Sequence, residues 1–315
     1  MISRTDTFDG SLSSEGPALE ARTWTVAKLL SWTEKYFDRL GMASPRLDAE
    51  LLLAHALSCV RIDLYTGYEQ LVEEQERVLF RGFVARRASF EPVAYILGKR
   101  EFFSLDFDVG PKVFIPRPET ETLVDRVLAV LREKEAGGES PRILDLGTGS
   151  GCIAVSLAHE LRNAQVTAVD ISPDALELAR KNAVRHDVAD RIRFLTGDLF
   201  EPLQREGTSE RFDVIVSNPP YVSPLEYEGL MRDVRDFEPE LALLDRRDHD
   251  GLGYYRLIAQ GARECLRDGA LLAFELGESQ STAVEAFLSQ AGWAQIEVVP
   301  DYAGISRVIT AFRRV

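Results

Sequence analysis

The residues best suited to chemistry in this 315-residue chain follow one short apolar segment. Asp213 to Ser217 is rich in β-branched residues, a pattern that predicts a buried strand, and Asn218-Pro219-Pro220-Tyr221 follows it directly. Two consecutive prolines cannot donate to a sheet and each fixes its own φ, so the chain must leave the sheet in a stiff, extended form. We therefore expect Asn218 and Tyr221 to be held rigidly at the carboxyl end of a strand, where ligands bind in open α/β sheets.

A second candidate site is a glycine-rich segment that follows another predicted strand and opens a predicted helix. Its sequence is Asp145-Leu146-Gly147-Thr148-Gly149-Ser150-Gly151. The glycines allow the backbone to turn sharply and to approach a ligand closely. The G-x-G-x-G spacing differs from the dinucleotide fingerprint G-x-G-x-x-G, which counts against a nicotinamide cofactor.

Two acidic residues lie at the carboxyl ends of the next two predicted strands. Asp170 ends the second strand, and its carboxylate can accept hydrogen bonds from both hydroxyls of a ribose. Asp198 follows the third strand, where it can meet an adenine amino group while Leu199 packs on the ring. The carboxyl ends of parallel strands meet at one edge of a sheet, so these acids and the glycine-rich segment predict one nucleoside site. The set resembles the S-adenosylmethionine site of Rossmann-like methyltransferases.

The segment Asn218 to Tyr221 matches the Asn-Pro-Pro-Tyr motif of methyltransferases that act on planar nitrogen, either an amide or an exocyclic base amine. Such a nitrogen is a poor nucleophile because its lone pair is delocalised. The Asn218 side-chain oxygen and the Pro219 carbonyl can each accept one N–H, which orients the nitrogen and stabilises developing positive charge. Asn218, Pro219 and Tyr221 are therefore the predicted catalytic residues, and Pro220 joins them in binding substrate.

The elements that position these residues differ between two parts of the chain. Before residue 98, apolar periodicity predicts helices near 26–40, 45–57 and 69–87. Alternation from Phe103 to Val109 then predicts a strand within a hairpin, and an amphipathic helix runs through 123–131. From Arg142 onward strands and helices alternate, which predicts a doubly wound, mostly parallel sheet. One of the last two strands is expected to be antiparallel because only a short loop joins them. The predicted strands are 143–146, 166–169, 192–195, 214–216, 271–274, 296–299 and 308–312, with helices near 151–161, 173–186, 252–267 and 279–291.

Composition narrows the class of protein. The net charge of −14 argues against a protein that coats nucleic acid. The three cysteines are far apart and the four histidines lack metal-ligand spacing, so neither a disulfide framework nor a metal site is expected and a reducing cytoplasm fits. No apolar run approaches the length of a membrane span, and residues 1–20 lack the apolar core of a signal peptide. We expect a cytoplasmic protein with a disordered tail over residues 1–23.

From about residue 24 to its end, the chain resembles the release factor glutamine methyltransferase family (HemK/PrmC, protein-(glutamine-N5) methyltransferases). Members of that family methylate N5 of the glutamine in the Gly-Gly-Gln loop of class-1 peptide release factors. A side-chain amide agrees with the planar-nitrogen site inferred above. The segments that carry the resemblance are Glu91 to Phe103, Phe114 to Glu121, Asp145 to Gly151, Asn218 to Tyr221, Phe237-Glu238-Pro239, Asp250-Gly251-Leu252 with Tyr255-Arg256, and Asp301-Tyr302-Ala303-Gly304 with Arg307-Val308.

The resemblance implies a Rossmann-like class I methyltransferase fold with a seven-stranded, mostly parallel sheet. A small helical substrate-binding domain over 24–97 is implied before it, joined by a hairpin linker over 98–113 to a methyltransferase domain over 114–315. It also implies S-adenosylmethionine as cofactor, S-adenosylhomocysteine as product and no metal. The implied partner is a class-1 release factor, with no direct contact to nucleic acid or a membrane.

The resemblance implies a role for a residue of this chain only where that residue matches the family's motif. Gly147 to Gly151, Asp170 and Asn218 fall on the family's cofactor positions, and Asn218 to Tyr221 fall on its substrate positions. The family's cofactor pocket also takes an aromatic ring from the Glu-Phe segment, for which Phe102 and Phe103 are the candidates. Some members carry an aromatic residue where this chain has Leu199. Arg117 and Glu119 to Glu121 can either shape the substrate entrance or cap a helix.

Three other functions are compared with this interpretation. A sister family that methylates a glutamine of a large-subunit ribosomal protein shares Asn-Pro-Pro-Tyr, but tends to have Pro-Arg-Ser-Pro where this chain has Pro116-Arg117-Pro118-Glu119. A DNA adenine-N6 methyltransferase is disfavoured by the acidic charge and by the lack of an evident base-recognition domain. A binding protein with a vestigial nucleotide fold is disfavoured by the intact glycine-rich segment, Asp170 and Asn218.

Overall fold

The chain divides into two units between Leu97 and Gly98, and each unit builds its own hydrophobic core. The computed structural model describes residues 24–136, 140–207 and 210–314. The tail expected over residues 1–23 lies outside these ranges. Within them, none of the helices combines the length and apolar character that crossing a membrane requires.

Helices build the described part of the first unit. The third predicted helix begins at Glu74 rather than near 69, because Glu73 and Glu76 form a capping box that satisfies N–H groups at the helix start. Asp48 and Arg87 form a buried ion pair at 2.8 Å between the second and fourth helices. The helices are α1 (Val26–Arg39), α2 (Pro45–Ala56), α3 (Asp63–Thr66), α4 (Glu74–Ala88) and α5 (Val93–Leu97).

The second unit opens with an antiparallel hairpin of β1 (Lys99–Phe102) and β2 (Leu105–Asp108). The strand expected from Phe103 starts two residues later, because Phe103 and Ser104 take positive φ angles of 51° and 59° to make the turn. Phe102 and Phe107 then meet edge to face in the core, with ring centres 6.0 Å apart.

A seven-stranded sheet forms the centre of the second unit, as the sequence predicted. The strand order is β5-β4-β3-β6-β7-β9-β8, and only β9 runs antiparallel to its neighbours. The antiparallel member of the last pair is therefore the final strand, one position in from the edge. The strands are β3 (Arg142–Leu146), β4 (Gln165–Asp170), β5 (Ile192–Thr196), β6 (Phe212–Ser217), β7 (Leu266–Glu275), β8 (Ala294–Pro300) and β9 (Ser306–Phe312).

Helices cover both faces of this sheet and create two cores. Every residue of the central strand β6 is buried, as expected of a parallel strand covered on both sides. Val214 and Val216 enter one core while Ile215 enters the other, so the alternation of the strand divides its side chains between the two faces. The helices on the first face are α6 (Thr120–Ala136), α7 (Cys152–Glu160) and α8 (Pro173–Arg185). The other face is covered by α13 (Gly253–Cys265) and α14 (Ser281–Gln290). Four short helices precede them in the chain, namely α9 (Glu201–Arg205), α10 (Pro224–Tyr227), α11 (Arg232–Arg235) and α12 (Glu240–Leu243).

Candidate active site

Most of the predicted site residues line one cleft at the carboxyl ends of β3, β4, β5 and β6. The cleft encloses about 1290 Å³ of space, part of it open to solvent. The lining includes Gly147, Thr148, Gly149, Ser150, Asp170, Asp198, Leu199, Asn218, Pro219, Pro220 and Tyr221.

The glycine-rich segment makes a tight turn between β3 and α7. Gly149 has a φ of 56°, in the left-handed region where a side chain is strained. Gly151 does not line the cleft, and its role is one of packing. A Cβ atom built there would lie 3.0 Å from the Cβ of Ala179 on α8, so only glycine allows the two helices to approach this closely.

Asp170 connects this turn to the start of α8. Its Oδ2 accepts a hydrogen bond from the Gly149 N–H at 2.8 Å, and its Oδ1 accepts one from the Ser172 N–H at 2.9 Å. Burial raises the pKa of the Asp170 carboxyl, whereas these two N–H groups act to lower it. Each carboxylate oxygen has a second lone pair, so the group retains capacity to accept further hydrogen bonds from a ligand in the cleft.

Asp145, on β3, stabilises the glycine-rich turn that follows it. Its Oδ2 accepts a hydrogen bond from the Thr148 hydroxyl at 2.6 Å, and burial raises the pKa of the Asp145 carboxyl to about 7. Its other oxygen has no hydrogen-bond partner among the described residues. The carboxyl is therefore a buried, readily protonated group behind the cleft.

Asp198 reaches the cleft but is already paired. Its Oδ2 forms an ion pair with Arg247, whose guanidinium lies 5.5 Å from the centre of the Tyr254 ring. Leu199 lines the cleft beside it with a φ of 47°, which is unusual for a residue other than glycine. Sequence reasoning did not anticipate Arg247, since nothing in the chain places residue 247 beside residue 198 before the sheet is assembled.

The aromatic residue in the cleft differs from the two expected from the sequence. Neither Phe102 nor Phe103 is among the residues that line the described cleft, whereas Phe114 is. Phe102 points from β1 into the core, where it is 1% exposed, and Phe103 lies in the hairpin turn and packs against the same core. The hairpin alternation and the turn direct both rings away, so Phe114 becomes the aromatic candidate.

An ion pair explains how Phe114 is held. The Arg117 guanidinium lies 4.6 Å from the centre of the Phe114 ring and pairs with the buried carboxylate of Glu238. Glu238 also accepts a hydrogen bond from the Ile115 N–H at 3.0 Å. Arg117 and Glu238 therefore join two segments, 113–118 and 237–239, that form part of the cleft wall. The two roles left open for Arg117, shaping the substrate entrance and capping a helix, stay predictions, and the structure places its guanidinium against the cleft wall.

The Asn218 segment is fixed on both sides. The Ser217 hydroxyl donates to the Leu146 carbonyl at 2.6 Å, which ties the end of β6 to β3. The Gln280 amide donates to the Tyr221 carbonyl at 2.9 Å. Burial raises the pKa of the Tyr221 phenol above its usual value, so this ring remains neutral.

Asn182 is a further residue that sequence reasoning missed. It is fully buried on α8, and its amide donates to the Ser150 carbonyl at 2.8 Å and to the Asp108 carbonyl at 3.1 Å. It therefore connects the glycine-rich turn to β2. A polar residue on the apolar stripe of Ala175, Ala179 and Ala183 was the available signal. Within the described ranges, no group of three or more His, Cys, Asp or Glu residues is arranged to hold a metal ion.

Comparison with known proteins identifies similar domains and similar whole chains. Residues 28–98 match the PrmC N-terminal domain family, and residues 121–233 match the methyltransferase small domain family. A release factor glutamine methyltransferase of Rhodopirellula baltica is 43% identical over 288 residues, which cover 91% of this chain and 96% of the relative. One of Geobacter sulfurreducens is 43% identical over 286 residues, with 91% and 96% coverage.

A solved structure supports the fold. The hMettl16 catalytic domain in complex with MAT2A 3'UTR hairpin 1 is 18% identical and superimposes with a TM-score of 0.54, covering 74% of this chain and 80% of that chain. At this level of identity the similarity concerns the fold alone, a mostly parallel sheet covered by helices on both faces.

Proposed function

This chain belongs to the release factor glutamine methyltransferase family, and we propose that it transfers a methyl group from S-adenosylmethionine to the N5 side-chain amide of the glutamine in the Gly-Gly-Gln loop of a class-1 peptide release factor. One observation carries the proposal. The rigid Asn218 to Tyr221 segment and the glycine-rich turn with Asp170 face the same cleft. An acceptor site for a planar amide thus adjoins a nucleoside site.

The residues of the cleft fit the proposed cofactor. The turn brings backbone close to the ligand, and Asp170 retains lone pairs that can accept the ribose hydroxyls. Leu199 and Phe114 supply apolar surface for a purine ring. Asp198 can bind the adenine amino group if its carboxylate shares its hydrogen bonds between that group and Arg247. We include Gly147 to Ser150, Asp170, Asp198, Leu199 and Asn218 in the cofactor site, with no metal, and Gly151 supports that site through its packing against Ala179.

The chain's own residues act on the acceptor. When bound, S-adenosylmethionine supplies a methyl carbon on a cationic sulfur, which keeps the electron pair of the broken C–S bond and leaves as S-adenosylhomocysteine. The Asn218 side-chain oxygen and the Pro219 carbonyl accept the two N–H groups of the glutamine amide, and Pro220 and Tyr221 flank its plane. These contacts orient the nitrogen toward the methyl carbon and stabilise positive charge as the N–C bond forms. The nitrogen then loses one proton.

We propose that the helical unit over 24–97 binds the protein substrate and that the hairpin over 98–113 is the linker to the methyltransferase domain over 114–315. The match of residues 28–98 to the PrmC N-terminal domain family supports this assignment of the helical unit. The three cysteines are free thiols, which supports a reducing cytoplasm as the site of the reaction. Direct binding of nucleic acid or a membrane forms no part of the proposal.

Methyl-labelled S-adenosylmethionine provides the test. The protein is incubated with the label and with release factor, large ribosomal subunits or duplex DNA in separate reactions. We expect label on the release factor and none on a release factor whose loop glutamine is replaced by alanine. Label on the ribosomal subunit alone would favour the sister enzyme family, and label on DNA alone would refute the proposal.

A further inference from the structure

The orientation of the Asn218 amide must be controlled, because its two ends have opposite hydrogen-bonding properties. The oxygen end can accept an N–H from a substrate amide, whereas the NH₂ end can only donate. The two orientations have almost the same shape, so packing alone discriminates weakly between them. Polar neighbours must therefore select the orientation that accepts.

Two buried side chains next to Asn218, those of Thr120 and Glu275, select the orientation of its amide. Ser217 pairs with Phe274 in the parallel register of β6 and β7, which brings Asn218 alongside Glu275. Glu275 and Thr120, the first residue of α6, are each 2% exposed. The Thr120 hydroxyl donates to Glu275 Oε2 at 2.5 Å, and Asn218 Nδ2 donates to Thr120 Oγ1 at 3.4 Å. Interaction with the Asn218 side chain also acts to lower the pKa of the Glu275 carboxyl.

The available hydrogen atoms and lone pairs determine which group donates and which accepts in these hydrogen bonds. Thr120 has a single hydroxyl hydrogen, and because Glu275 takes it, the Thr120 oxygen can only accept from Asn218. An ionised Glu275 likewise only accepts. A flipped Asn218 would turn its carbonyl oxygen toward these acceptors, which is unfavourable in a buried site.

We propose, building on the methyl transfer proposed above, that Glu275 and Thr120 are positioning residues that hold the Asn218 amide with its nitrogen inward and its oxygen toward the substrate amide. They act through Asn218 and do not touch the reacting atoms. Their contribution is to raise the fraction of enzyme in which the acceptor is correctly oriented.

Protonation of Glu275 would weaken this control, because a neutral carboxyl can donate its O–H to the oxygen of a flipped Asn218. Burial raises the pKa of Glu275 to about 7, with Arg307 lowering it and Glu119 raising it. The nearby Tyr221, Tyr255 and Cys152 have raised pKa values and remain neutral at this pH. The proposed orientation is therefore favoured above about pH 7 and is lost as the pH falls below it.

Substitutions separate this positioning role from simple packing. Thr120→Val removes the hydroxyl at nearly constant volume, and Thr120→Ser restores it. Glu275→Gln replaces one acceptor oxygen with an NH₂ group that can bond to a flipped Asn218. Thr310→Val is the matched control, since Thr310, on β9, is likewise a buried threonine and its hydroxyl has no partner among the described residues.

The kcat for methylation of release factor, the dissociation constant of S-adenosylmethionine and the unfolding midpoint are measured for each protein. We expect Thr120→Val and Glu275→Gln to lower kcat by roughly 10-fold or more, the effect of about one lost hydrogen bond in the transition state, with cofactor affinity changed less than about threefold. Thr120→Ser should recover most of the kcat lost in Thr120→Val, and Thr310→Val should match the wild type.

The pH profile gives a readout that a packing role would not change. Wild-type kcat should fall below about pH 7, and Glu275→Gln should lack this decline. Asp145, whose pKa burial also raises to about 7, is another source of such a decline. A decline that persists in Glu275→Gln but is absent in Asp145→Asn would overturn the assignment. Wild-type kcat in both Thr120→Val and Glu275→Gln would overturn the inference as well. A wild-type protein that does not methylate release factor would instead refute the proposed function.

Discussion

At the scale of single residues, some side chains of the cleft are placed to bind a ligand, and others orient the side chains that do so. Asp170 accepts hydrogen bonds from backbone on both sides and presents a carboxylate to the cleft. Asn218 presents an amide that is anchored from behind by Thr120. The two residues lie on neighbouring parts of the same cleft, yet their replacement should have different kinetic effects.

Asn218→Ala should abolish detectable methyl transfer, with a loss in kcat of roughly 100-fold or more, because the acceptor that orients the substrate amide is removed. The dissociation constant of S-adenosylmethionine should rise only modestly. Single-turnover kinetics and equilibrium binding distinguish the two effects. A variant with near-normal turnover would contradict the role given to Asn218.

Asp170→Ala should mainly weaken cofactor binding. Hydrogen bonds to a charged acceptor contribute about 1.5–3 kcal/mol each, so the dissociation constant of S-adenosylmethionine should rise by roughly 10- to 100-fold. Calorimetric titration measures it directly. Glu177→Ala, which removes an exposed acid on the following helix α8, is the control and should bind as the wild type does. An unchanged constant for Asp170→Ala would refute the ribose contact.

At the scale of elements, the cleft depends on how closely α7 and α8 approach each other at the glycine-rich turn. Gly151 combines a φ of 81° with a neighbouring Ala179 that leaves no room for a side chain. Asn182 then connects the same turn to β2. The position of the turn is thus set by contacts from two other elements.

Gly151→Ala should destabilise the second unit by about 1–3 kcal/mol and weaken cofactor binding, since backbone strain and the clash with Ala179 both displace the turn. Gly269→Ala is the matched control, because Gly269 also has a positive φ of 71° but open space around it. Urea unfolding should show a larger loss for Gly151→Ala. Equal losses of stability in the two variants would mean that the close approach of α7 and α8 adds nothing to the cost of backbone strain.

At the scale of the whole molecule, burying acids behind the cleft makes stability depend on pH. Burial raises the pKa values of Asp145 and Glu275 to about 7, whereas these groups titrate near 4 in an unfolded chain. Between about pH 4 and 7 the folded state therefore binds more protons than the unfolded state does. The contribution of these groups to stability is present below about pH 4 and is lost as the pH rises through 7.

Glu275→Gln removes one of these groups, so its free energy of unfolding should fall less between pH 5 and 8 than that of the wild type. The difference in that fall should be roughly 2 kcal/mol from a shift of this size. Urea unfolding at both pH values measures it. Parallel stability profiles for the two proteins would show that Glu275 stays ionised across this range when folded.

Much of this organisation is present in local sequence patterns. Apolar runs and helical periodicity predicted the seven strands and the helices between them, because central strands such as β6 bury both faces and each helix buries one stripe. Element boundaries depended on contacts that periodicity does not report. The capping box at Glu73 starts α4 at Glu74 rather than near residue 69. The turn at Phe103 and Ser104 starts β2 at Leu105 rather than at Phe103.

The sequence by itself determined the fold class, the family and the residues at the carboxyl ends of β3, β4 and β6, because strand order and motif chemistry place them at one edge. Only the tertiary structure decided which distant groups meet there. Phe114 lines the cleft where Phe102 and Phe103 do not, and Glu275 reaches Asn218 only because β7 pairs with β6. Such contacts join residues far apart in the chain, and their geometry exists only once the sheet and the helices that cover it have packed together.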